Sequence, residues 1–233
     1  MKVWVFVEGP SDRLALQALW ADWRERLRAS RHGIEIIPLD DKSRFFRKIG
    51  PWAAHHLAGD AKDIVVGLPD LYPNSEYRQT ENAHENLAEL QQVQIKLVKK
   101  GLTETLKVPD RDAEEMLKRF YPSALKHDME MLLLAAEDQL REALRTQERL
   151  GNWRKPVEDQ NQLNPPKSII EELFRTKRGS AYRDTKDAPA VLRRVNDLQA
   201  IFWSNGQLNC PIFKQMLDWV GASTGVPAYQ KPQ

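Results

Sequence analysis

The stretch Lys2-Val3-Trp4-Val5-Phe6-Val7-Glu8-Gly9-Pro10-Ser11-Asp12-Arg13-Leu14-Ala15-Leu16 decides the fold. Residues 3–7 are an unbroken β-branched and aromatic run, the pattern of a strand buried on both faces in a parallel sheet. Glu8 ends it, and Gly9 and Pro10 break the extended chain. Ser11 or Asp12 can then cap a helix whose Leu14, Leu16, Ala18 and Leu19 recur at helical spacing as far as Leu27. The chain therefore opens with a strand, a tight turn and a helix, with an acid at the strand's carboxyl end. In open parallel sheets that end is where ligands sit. Asp12 has two readings: a second acid beside Glu8, or a helix cap.

Outward from this stretch, residues 34–39 read as a second strand with Pro38 at its end or on an edge, and Asp40, Asp41 and Lys42 as a polar turn. Residues 44–57 follow at helical spacing, with Gly50-Pro51 expected to interrupt or restart the helix. Residues 64–68 are a third apolar run, ending Pro69-Asp70-Leu71-Tyr72-Pro73. Strand, helix, strand, helix, strand argues for an α/β sheet. Two strand ends that each deliver a carboxylate to one edge suit a hard cation such as magnesium.

The remainder is polar and helical in pattern. Residues 82–100 form a helix with Gly101 as its stop, in a crossover or insertion. A short strand up to Lys126 precedes a helix whose first turn bears Asp128 and Glu130, acids that the helix dipole alone also favours. That helix is expected to run on through residues 137–150, before a loop at 151–166 and a further helix at about 167–174.

With 233 residues the chain is long enough for one domain, or one domain carrying an insertion. A net charge of +2 advertises no bulk attraction to polyanions, so any nucleic-acid surface must be local. No apolar run approaches the roughly 18 residues of a membrane span. No signal peptide is recognisable, so the cytoplasm is the expected compartment. Cys210 stands alone, which excludes a disulfide framework or a multi-cysteine zinc site within one chain.

A hydrophobic strand ending Glu8-Gly9-x-x-Asp12 and running into an amphipathic helix resembles the opening of the TOPRIM fold of topoisomerases, primases and overcoming-lysogenization-defect nucleases. The second acidic strand of that pattern ends Asp-x-Asp. Here the triplet is Asp70-Leu71-Tyr72, and Tyr72, with an ordinary pKa of about 10, does not replace an acid as a magnesium ligand at neutral pH. The same departure resembles a narrower TOPRIM-like family of bacterial proteins of largely unassigned function, often encoded beside SMC/ABC-type ATPases in phage-defence or mobile loci. Its His-Glu-hydrophobic-Glu-x-Leu-Leu element is similar to His127-Asp128-Met129-Glu130-Met131-Leu132-Leu133. Its Pro-x-Lys, Tyr-x-Lys-Thr and Cys-Pro-x-Phe elements are similar to Pro165-Pro166-Lys167, Tyr182-Arg183-Asp184-Thr185-Lys186 and Cys210-Pro211-Ile212-Phe213. Asp184 stands where that family usually has Lys, with Lys186 as the substitute.

The resemblance implies an α/β, TOPRIM-like, mostly parallel central sheet flanked by helices. The core would span residues 1–136 with a helical insertion at 74–118, and residues 137–233 would form a helical extension packed on it. It implies a nuclease or phosphodiester-processing effector of bacterial defence that uses Mg2+ or Mn2+, acts on DNA or RNA, has an SMC/ABC-type ATPase as a possible partner, and has no membrane association. Glu8, Asp70 and Glu130 would be catalytic and metal-binding, with Asp12 and Asp128 completing the metal set; this three-acid catalytic reading fails unless Glu8, Asp70 and Glu130 converge within metal-bridging distance. Lys167 and Lys186 would neutralise developing charge and, with Arg183, hold the phosphate, unless all three are solvated surface. His127 would be a base or orienting group, or a structural histidine. The alternative is a non-catalytic TOPRIM-like regulatory or sensor subunit docking on an ATPase, which Tyr72 and the near-neutral charge favour. A nucleotide-binding fold lacks support, since neither a glycine-rich dinucleotide fingerprint nor a phosphate-binding loop is present.

Overall fold

The opening apolar run becomes β1 (Lys2–Val7), an interior strand of a four-stranded sheet in the computed structural model, which describes residues 1–160, 162–204 and 207–229. β2 (Gly33–Pro38), β3 (Ile64–Leu68) and β4 (Phe120–Pro122) complete it in the order β2-β1-β3-β4, every pairing parallel. Pro38 lies at the end of an edge strand, where a missing N–H costs no ladder bond. The α/β reading holds: helices cover both faces of a parallel sheet.

Alternation along β1 divides the core. Val3, Val5 and Val7 face α1 (Pro10–Leu19) and α2 (Ala21–Ala29), whereas Phe6 faces α3 (Lys42–Gly59), α4 (Leu87–Lys100) and α5 (Asp110–Leu117). The first helix, expected to run unbroken, is divided at Trp20, whose buried indole lies 5.7 Å from the ring of Trp23 and 6.1 Å from that of Phe213.

Beyond β4 the chain is almost wholly helical among the described residues: α6 (Glu130–Ala135), α7 (Glu137–Leu144), α8 (Pro166–Leu173), α9 (Asp184–Leu192), α10 (Gln199–Phe202) and α11 (Pro211–Thr224). A two-residue antiparallel pair, β5 (Trp203–Ser204) with β6 (Gln207–Leu208), separates the last two. The expected long helix after Asp128 is thus broken at Ala136 and stops at Arg145, which takes a left-handed conformation at φ 56°. Leu132, Leu140, Ile170, Val191 and Phe213 belong to the same apolar cluster as Val3, Val5 and Val7, so these helices pack on the sheet. Glu158 caps α11 from outside it, accepting the backbone N–H groups of Ile212 at 2.9 Å and Phe213 at 3.0 Å. No helix among the described residues is long and apolar enough to cross a membrane.

Two glycines correct the sequence reading. α3 runs straight through Gly50-Pro51, and Gly101 keeps helical angles rather than stopping the chain. Both serve close approach: a Cβ on Gly50 would lie 2.5 Å from the Leu97 carbonyl oxygen, and one on Gly101 would lie 2.3 Å from the Gly50 carbonyl oxygen. Pro51 sits on the exposed side of α3, where its missing donor is tolerated because tertiary packing holds the helix.

Glycine to alanine inside a helix ordinarily stabilises by up to about 1 kcal/mol. Gly50→Ala is expected to reverse that sign and cost about 1–3 kcal/mol by overpacking. Gly59→Ala, in the last turn of the same helix with nothing within 4 Å of the added carbon, is expected to be neutral or mildly stabilising. Urea unfolding of the two variants checks the pair, and equal effects would refute the close-contact explanation.

Candidate active site at the carboxyl edge of the sheet

The chain leaves β1 for β2 on one side and returns to β3 on the other, and such a reversal opens a crevice at the carboxyl ends of the two central strands. Val7 pairs with Leu68, so Glu8 and the Pro69-Asp70 turn emerge side by side. The backbone N–H of Asp70 donates to Glu8 Oε1 at 3.0 Å. Beyond β4, Asp70 and Leu125 form a further parallel bridge, through Leu125 N–H to the Pro69 carbonyl at 2.9 Å and Leu71 N–H to the Leu125 carbonyl at 2.6 Å. That bridge carries His127, Asp128 and Glu130 to the same edge. Asp12, in the first turn of α1, accepts the Gly9 N–H at 2.8 Å. It therefore caps the helix, and its charge also acts on the other acids at this edge.

Burial pushes all five carboxyl groups upward in pKa. Glu8 and Asp128 each reach about 7, and Asp12, Asp70 and Glu130 shift in the same direction. Mutual repulsion adds to the desolvation, and the charge of Asp12 acts on each of the other four. Asp70 Oδ1 and Asp128 Oδ1 are buried without a hydrogen-bond partner. An all-oxygen, excess-negative donor set with two unsatisfied oxygens is chemically suited to a hard divalent ion.

The expected convergence of Glu8, Asp70 and Glu130 into one ready-made ligand set is not observed. Among the described residues no three His, Cys, Asp or Glu side chains are placed to hold one ion. The reason is local: Glu8 is drawn to the Asp70 N–H, and Glu130 accepts the Tyr182 hydroxyl at 2.9 Å. The three-acid form of the catalytic reading therefore fails; magnesium commonly takes only one or two protein carboxylates and keeps its waters, so pairs of these acids are what fit it.

Of the basic candidates only Lys167 reaches the acids. Its backbone N–H donates to Asp128 Oδ2 at 3.3 Å, and its ammonium lowers the pKa of Asp12, Asp128 and Glu130 against burial. Arg183 is engaged by Asp187, which accepts its backbone N–H at 2.8 Å and lies 3.9 Å from its guanidinium. Lys186 is exposed on α9. Asp184 does act on the acids, its charge raising Asp12. His127 is buried, with Nε2 unpartnered and its ring 5.6 Å from that of Tyr72.

Lys42 and Tyr182 are the functional neighbours that the sequence reading missed. Lys42, placed in a solvated turn by its sequence, instead starts α3 and turns inward, donating to the carbonyls of Leu71 at 3.0 Å and Pro73 at 2.7 Å. Burial lowers its pKa while the charges of Glu8 and Asp70 oppose that shift. Its ammonium anchors the turn that carries Asp70. Nothing in Asp40-Asp41-Lys42 signals this, since a charged triplet reads as surface. Tyr182 stands within a quoted motif, but no spacing pairs it with Glu130.

A carboxyl group whose pKa rises on folding lets the folded state keep protons that the unfolded chain has lost, so its stability is full below the ordinary values of 3.8–4.5 and falls as pH rises towards 7. In chelator, the melting temperature is expected to fall between pH 5 and 8, and Glu8→Gln and Asp128→Asn to flatten that fall in thermal scans. Lys42→Met, which strands two carbonyls and removes the compensating charge, is expected to cost about 1–3 kcal/mol in urea unfolding. An unchanged midpoint would show that the ammonium does not hold the turn.

A family model described as a domain of unknown function, DUF4276, matches residues 7–220. Among solved structures, the C-terminal region of the Xanthomonas campestris pv. campestris OLD protein is similar, at 16% identity over 83% of this chain and 85% of that chain. Its TM-score is 0.41. No curated protein matches.

Proposed function

The chain belongs to the DUF4276 family, a domain of unknown function, and we propose that it is a divalent-metal-dependent enzyme cleaving phosphodiester bonds of nucleic acid, in the setting of phage or mobile-element defence that the sequence resemblance implies. The TOPRIM-like reading of the sheet is part of the same proposal. One observation carries it: five partly or fully buried carboxyl groups that repel one another at the switch point of a parallel sheet, two of them with an unpartnered oxygen. Packing alone does not reward such a cluster, since each buried charge costs stability unless it is paired or binds a metal. A site for cations does.

Magnesium or manganese bound there would activate water and stabilise charge developing on the phosphate. Glu8 with Asp70, or Asp128 with Glu130, would hold it as a pair, with Asp12 adding negative charge to either. Tyr182 orients Glu130 through its hydroxyl, and Lys42 steadies the Asp70 turn. Lys167, exposed at the rim, offers an ammonium to a substrate phosphate.

A second reading, a non-catalytic subunit docking on an SMC/ABC-type ATPase, is favoured by Tyr72 at the place of the second acid. Incubation of the purified chain with DNA and RNA in magnesium or manganese separates the two. Glu8→Gln and Asp70→Asn are each expected to lower metal-dependent cleavage by about 100- to 1,000-fold, the usual cost of one missing stabilising group, and Lys167→Ala to lower it less. No cleavage by the wild-type chain, alone or with an SMC/ABC-type ATPase added, would leave the docking reading.

A further inference from the structure

A cavity of about 250 Å³ opens beside the carboxylates, lined by Tyr72, Pro73, His127, Asp128, Gln162 and Pro165. We propose that it holds one unpaired nucleobase of the strand whose phosphate lies at the acids, so that the substrate is single-stranded or locally unpaired nucleic acid. The inference rests on the nuclease reading for the position of the phosphate.

Three features point to a base. The walls are flat: a tyrosine ring and two proline rings, with the Tyr72 ring inclined at 43° to that of His127. Aromatic faces accept every base by stacking, without regard to sequence. The rest of the lining is polar: the side chains of His127 and Asp128 and, at the exposed rim, the Gln162 amide, which both donates and accepts. The ring N–H, ring nitrogens and exocyclic groups of a base are partners of the matching kind. The size is limiting, since the cavity lies below the roughly 300–1,000 Å³ typical of drug-sized ligand sites and suits a single planar ring system. A base held in a duplex cannot enter without leaving its stack.

Tyr72 thereby acquires a use that its place in the sequence obscures. At the position of a missing acid it supplies a stacking face beside the site.

The test compares single-stranded oligonucleotides with abasic strands of the same phosphate count, in DNA and in RNA, by fluorescence anisotropy with the whole chain. The wild-type protein is expected to prefer the intact strand by about five- to hundredfold, the value of one stacked base. Tyr72→Ala is expected to lose that preference while binding the abasic strand as before, which shows that it is folded, and Tyr72→Phe to restore it. A preference that survives Tyr72→Ala, or no preference in the wild type, would overturn the inference, and the stronger of the DNA and RNA arms identifies the sugar. Cleavage is scored separately. A chain that holds bases through Tyr72 but cuts nothing keeps the base site and defeats the nuclease reading, whereas cutting without base preference does the reverse.

Discussion

The hydrogen bond from the Asp70 backbone to Glu8 is the interaction on which the arrangement turns. It exists because β1 and β3 are parallel neighbours in register, so two acids far apart in sequence leave the sheet at one point. Parallel pairing requires a crossover, and the crossover here contains α1, α2, β2 and α3. The helix that completes it starts at Lys42 and puts an ammonium beneath the turn. A carboxylate pair that burial would otherwise penalise is thus accompanied by a cation set by the same topology.

How much of this could be read from the chain depends on whether the signal was local. β1 and β3 are plain because strands buried on both faces lack polar residues, and the acids at their ends are plain because they terminate those runs. The glycines were misread: Gly101 resembles a stop, and Gly50-Pro51 a break, when only the partner helix is out of sight. Contact between α3 and α4 gives both glycines their meaning. Lys42 was invisible for the same reason, since no local pattern separates a lysine that turns inward from one in water.

The basic residues show the converse. Lys167, Arg183 and Lys186 share a plausible phosphate chemistry, yet only Lys167 acts on the carboxylates. Asp187 captures Arg183 and also accepts from Arg178 at 3.1 Å. Residue type suggests a role, and the competing partner on the same helix decides whether it is free to take it. The departure at Asp184 adds an acid near Asp12 where the resemblance leads one to look for a lysine.

Tyr182 reaches back to Glu130, and the Trp23 indole donates to the Val226 carbonyl at 2.9 Å across 203 residues. During synthesis, Glu8 and Asp70 emerge from the ribosome long before the residues that orient Glu130 or supply the Lys167 ammonium. A nascent chain that has already formed its sheet therefore carries an incomplete constellation, and the opening strand waits on the last third of the polypeptide.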